Sequence, residues 1–105
     1  MRLNFSTNWN GKLDCKSFTT FRLQSSKYRV GSVHDVYLKK EMIGTAKVLA
    51  IRDMPLRSVN EFIARIDTGC SLEDFRGIIR KMYKNADREL FSLVLLEWQK
   101  KMATD

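Results

Sequence analysis

One proline, one histidine and two cysteines are all that this 105-residue chain holds of three residue types that often define a function. With His34 as its single imidazole, the chain cannot assemble a standard Cys/His zinc pattern from Cys15 and Cys70, so no metal is expected. The opening stretch "MRLNFSTNWNGKLD" lacks the apolar centre of a secretory leader, which favours two reduced thiols over a disulfide. No apolar run reaches the length of a membrane-spanning helix. No proline-rich linker, repeat or low-complexity tract divides the chain. A single soluble, cytoplasmic domain over residues 1–105, with a modest core and no cofactor, is the expectation.

Acidic residues are scarce where basic ones gather. Residues 1–40 contain Asp14 and Asp35 against Arg2, Lys12, Lys16, Arg22, Lys27, Arg29, Lys39 and Lys40, a net +6 of the chain's +7. A positive field confined to the N-terminal half suits an anionic partner such as RNA or a nucleotide, and no membrane partner is expected.

The periodicities run strand-rich, then helical, then strand. "RLNFST" alternates as a half-buried strand, and Asn10-Gly11 marks a turn with positive backbone dihedrals. "SFTTFRL" is a β-branched and aromatic strand, and Gly31 turns the chain before "SVHDVYLKK". "EMIGTAKVLAIRDM" returns as a hairpin, with Gly44 at a bulge or turn. After Pro55, Ser58 and Glu61 form a capping-box pattern for a helix over about 58–66, with Val59, Phe62, Ile63 and Ile66 at helical spacing. Gly69 fits a left-handed helix stop. A second helix starts at Ser71 with the stripe Leu72, Phe75, Ile78, Ile79 and Met82, and "ELFSLVLLEW" closes the domain as a buried strand. The expected class is α+β: a small curled sheet or barrel of five to six strands, with two helices inserted before the last strand.

Within "SFTTFRL", strand alternation puts Phe18, Thr20 and Arg22 on one face and Thr19, Phe21 and Leu23 on the other, the latter being the natural core face. Thr20 and Arg22 then stand side by side, a hydroxyl and a guanidinium fork suited to a phosphate, a carboxylate or a base edge. An ordinary ion pair on a solvated face is the alternative. Lys16, Lys27 and Arg29 add positive charge around this strand. Tyr28, between two cations at a turn, either stacks on an unpaired base or packs on the sheet wall. Trp9 lies in a polar loop, and His34 reads as structural within its strand. Arg76, Arg80, Lys81 and Lys84 give the second helix a cationic face and tail that suit its dipole.

The succession "KSFTTFRL…KYRVGSVHDVYLKK…IGTAKVLAI", "FIARIDTG", "SLEDFRGIIRKMY" and a closing apolar strand resembles the ASCH domain family, whose fold is PUA-like. The resemblance spans about Phe5 to Trp98, and its most specific parts are Thr20-x-Arg22, Val30-Gly31 and Met82-Tyr83. It implies a β-barrel whose cleft, lined by the Thr20–Arg22 strand, binds RNA or a modified nucleoside. It also implies an alternative activity, deacylation of N-acylated cytidine by a lysine, a threonine and a glutamate. The family's lysine position falls on Ser17 and its glutamate position on Thr68, so Lys16 and Asp67 are the nearest substitutes beside Thr20. On a straight strand the Cα of Lys16 would lie about 13 Å from that of Thr20. Whether the chain is an enzyme stays open from sequence, with nucleic-acid or nucleotide binding by Lys16, Thr20, Arg22, Lys27, Tyr28 and Arg29 as the leading expectation.

Overall fold

A computed structural model of the chain describes residues 1–102. Five strands form one mixed sheet: β1 (Arg2–Phe5), β2 (Ser17–Leu23), β3 (Val33–Leu38), β4 (Glu41–Pro55) and β5 (Leu90–Lys101), in the spatial order β1-β3-β4-β5-β2. β1 runs parallel to β3, and the other neighbours are antiparallel. Two α-helices, α1 (Glu61–Thr68) and α2 (Leu72–Met82), lie between β4 and β5, and three short 3-10 segments complete the chain. The class is thus α+β, with five strands.

The sheet curls because its longest strand is interrupted. Along the 15 residues of β4 the pairing register shifts between Thr45 and Ala46 and between Val48 and Ala50, and the register of β3 shifts at Val36/Tyr37. Each extra residue bends the strand and increases its twist. The accumulated curl turns the outer strands β1 and β2 toward one another without pairing them, leaving a half-barrel with an open seam.

Both faces of the sheet are covered. Inside the curl, Leu3, Phe18, Val36, Val48, Val94 and Leu96 form one apolar cluster. On the outer face, Phe21 and Phe91 stack with ring centroids 4.8 Å apart and pack under Phe75 and Ile79 of α2. The expectation that only Thr19, Phe21 and Leu23 face a core is therefore corrected: Phe18 is also buried, whereas Leu23 is exposed. A sheet that curls on one side and carries helices on the other buries side chains on both faces of β2, Phe18 and Thr20 on one and Phe21 on the other.

The helix ends follow local chemistry. At Ser71 the expected cap is present, its hydroxyl accepting from Asp74 N–H at 3.2 Å. Gly69 closes α1 at φ 77°. The capping box at Ser58 is not formed. Ser58 ends a 3-10 turn, Val59 drops extended into the core, and Asn60 caps instead, accepting from Ile63 N–H at 2.9 Å. Glu61 accepts from Arg65 and from Leu72 N–H. Helix α1 buries Ala64, Asp67 and Thr68 while Phe62 and Ile66 are exposed, against the expected stripe. Among the described residues no helix is long and apolar enough to cross a membrane.

Candidate functional site

The site begins in the turn that precedes β2. Asn10 and Gly11 adopt left-handed dihedrals, φ 57° and 64°, which only a glycine or a short polar side chain takes readily. Asn8 Oδ1 accepts from Leu13 N–H at 2.9 Å, and the Leu13 side chain is buried. Between these anchors Lys12 has one direction left, inward. Its residue is only 6 % exposed, and its amine donates to Asp67 Oδ1 at 2.9 Å.

Asp67 arrives from the last turn of α1. The Asn10 side chain donates to Arg65 O at 3.3 Å, and a Cβ on Gly69 would meet Asn10, so the turn and the helix end are in close contact. Thr19 Oγ1 donates at 2.8 Å to the same Asp67 oxygen that receives Lys12. A turn, a strand and a helix are pinned by one carboxylate oxygen.

Removal from water pushes the Lys12 amine below its usual range, and this outweighs the opposing pull of Asp67. The nearby Arg22 charge acts in the same direction as burial. Lys12 and Arg22 both lie over the Phe5 ring, at 5.3 Å and 4.8 Å from its centroid. Arg22 Nε donates to Thr20 Oγ1 at 2.9 Å, and Arg22 Nη2 donates to Asn4 O on β1 at 2.6 Å. Because Thr20 Oγ1 accepts from Arg22, its own proton points elsewhere.

These groups line a cavity of about 240 Å³ at the seam. Its polar wall holds Lys12, Thr20, Arg22 and Asp67. Phe5 and Trp9 form one apolar flank, and Ile78, Ile79 and Met82 of α2 form another. The arrangement offers two cations, the hydroxyls of Ser6 and Thr20 and one carboxylate beside apolar walls, a set suited to a flat polar ligand carrying negative charge. Among the described residues no group of three or more His, Cys, Asp or Glu side chains is placed to hold a metal.

Of the residues nominated from sequence, the cavity brings together Thr20, Arg22 and Asp67. Lys16 is exposed and outside it, so Lys16 is corrected to Lys12 as the lysine that meets Asp67. Lys16 fails because only its backbone is held, its carbonyl accepting from Trp98 N–H at the start of the ladder. Thr20 does not bond Asp67: strand alternation gives that hydrogen bond to Thr19. Lys27 donates to Arg2 O at 3.2 Å across the same seam. Tyr28 is not an open stacking platform. It is 8 % exposed, its ring 5.7 Å from that of His34 in the inner core. With Arg29, Tyr28 borders a separate polar recess that also contains Ser25 and Asp53.

The fold and site define an α+β half-barrel with a polar cavity at the gap between its edge strands. No family model matches the chain, and no curated protein does. Among solved structures, the fold is similar to that of protein EF3133 from Enterococcus faecalis V583, which carries the family description DUF984. The TM-score is 0.68 at 10% identity, covering 90% of this chain and 71% of that one.

Proposed function

We propose that the protein binds a nucleotide-like ligand, either free or as an unpaired unit of RNA, in the seam cavity. The observation that carries this reading is the pairing of Arg22 with Thr20: a guanidinium that keeps donor capacity beside a hydroxyl whose proton is uncommitted, both on the cavity wall. At about 240 Å³ the space is smaller than a typical drug-sized pocket of about 300–1,000 Å³. It suits one heteroaromatic ring and its nearest substituents, with Phe5 and Trp9 alongside, and the rest of an RNA would follow the basic N-terminal surface.

Titration of nucleoside monophosphates and short single-stranded RNA, at low and moderate salt, tests the reading. Binding is expected to weaken with salt and to drop far more in Arg22→Lys and Thr20→Val than in the rim variant Lys39→Ala. Absence of binding at low salt, or equal loss in all three variants, would count against the cavity.

A second reading, deacylation of N-acylated cytidine, is favoured by one feature: the buried Lys12 amine, its pKa lowered by burial, is hydrogen-bonded to Asp67 in the same cavity that Thr20 lines. Lys12 takes the part first assigned to Lys16. Release of cytidine from acetylated cytidine, lost in Lys12→Met and in Thr20→Val, is the result that would support it. No release by the unaltered protein would remove that substrate.

A further inference from the structure

The seam cavity wraps around the unpaired edge of β2. Thr20 and Arg22 reach it from the inner face of the sheet, and Ile78 and Ile79 border it from the helix side. Phe21 lies between them in sequence and also lines the cavity. What the edge offers follows from the ladder. Trp98 N–H donates to Lys16 O, and Gln24 N–H donates to Leu90 O, so even-numbered residues of this segment turn their backbone groups toward β5. Antiparallel pairing alternates strictly, so Ser17, Thr19, Phe21 and Leu23 turn theirs away. β2 has no second neighbour, and among the described residues the amide and carbonyl of Phe21 take no backbone or side-chain partner. Yet Phe21 is only 4 % exposed. A nearly buried donor and acceptor without partners is uncommon and favours whatever satisfies them.

We propose that Phe21 reads the ligand through its backbone, selecting a flat ring that presents a hydrogen-bond donor and an acceptor next to each other on one edge. The proposal rests on the binding reading given above and deepens it. In extended backbone the N–H and C=O of one residue lie side by side and point the same way, the arrangement by which a strand pairs with its neighbour. Lactam and amidine edges of heterocycles carry the complementary pair at matching spacing. Uracil, cytosine, adenine and guanine all own such an edge. The recognition therefore sorts free edges from blocked ones rather than one base from another. The phosphate would be met separately by the Arg22 side of the cavity.

Edge-blocked ligands separate this inference from the parent reading. The intact protein is titrated with uridine and cytidine monophosphates, with their 3-methyl and N4,N4-dimethyl counterparts, and with ribose 5-phosphate. The expected result is a loss of at least tenfold on blocking, with ribose 5-phosphate as weak as the blocked nucleotides. In parallel, selectively 15N-labelled phenylalanine reports the Phe21 amide, which should shift and exchange at least tenfold more slowly when uridine monophosphate is bound. Equal affinity for blocked and unblocked nucleotides, or an unchanged Phe21 amide at saturation, overturns backbone reading while leaving the cavity as a nucleotide site. No binding of any nucleotide overturns both.

Discussion

Arg22 and Asn4 stand on two strands that do not pair, and a single 2.6 Å hydrogen bond from the guanidinium to the backbone carbonyl joins them. Lys27 makes a second crossing, to Arg2 O, so the gap between the sheet edges is spanned by charged side chains instead of a ladder. Two residues nominated as ligand contacts are also closures of the half-barrel.

Arg22→Ala is therefore expected to lower stability as well as ligand affinity. Losing one charge-assisted hydrogen bond to a carbonyl and another to Thr20 should cost about 1–3 kcal/mol. Urea denaturation measures it. Stability equal to that of the parent protein would show that the crossing does not hold the seam.

The Lys12–Asp67 pair invites a double-mutant cycle. Breaking it from either side, with Lys12→Met or Asp67→Leu, strands a buried charge and should cost about 3–5 kcal/mol. The doubly apolar protein should lose much less than the two single losses combined. Additive losses would mean that the groups act independently despite their 2.9 Å separation.

His34 gives the fold a pH limit. Ser32 Oγ donates to Arg29 O at 2.7 Å, so it accepts from His34 Nε2–H, which leaves the buried Nδ1 as an unpartnered acceptor. Burial lowers the histidine's pKa, reinforced by the Lys27 charge and the N-terminus and opposed by Asp35. The unfolded chain then takes up the proton first, near pH 6.5. Stability from the neutral ring is complete above that pH and is lost as pH falls toward the lower folded value. Thermal melts from pH 7.5 to 5 should show this decline in the parent protein. In His34→Gln it should be reduced, whatever that variant's starting stability.

Two glycines should respond in opposite directions to alanine. At Gly44, φ 154°, a Cβ would fall on the Lys100 carbonyl oxygen and 3.0 Å from the Trp98 ring, so Gly44→Ala forces β4 away from β5. A loss of about 1–3 kcal/mol is expected. Gly77 lies in α2 with open space around it, so Gly77→Ala should raise stability by about 0.5–1 kcal/mol. Chemical denaturation of both variants checks the contrast.

Strand alternation made the shared face of Thr20 and Arg22 legible, because a period of two needs no knowledge of neighbours. Depth was not legible: Phe18 shares that face and is buried, since how far a sheet curls depends on bulges spread along β4 and β5. Ser71 and Gly69 were readable as a cap and a stop, each acting on backbone within three or four residues. Asn60 displaced Ser58 because burial of Val59 fixed the entry of the helix, a tertiary effect that a local pattern does not contain. Lys12 was missed for the same kind of reason. Its partner is 55 residues away, and the only local signal was Asn10-Gly11, which marked a turn without saying which side chain it would direct inward.

β5 lies between β4 and β2, although it follows both in the chain. During synthesis β2 thus waits for residues 90–101, and Thr20 and Arg22 gain their setting only when that segment docks. Until then β4 and β2 each carry an unoccupied hydrogen-bonding margin, and a chain cut short before Leu90 would be left open to pairing with other copies of itself.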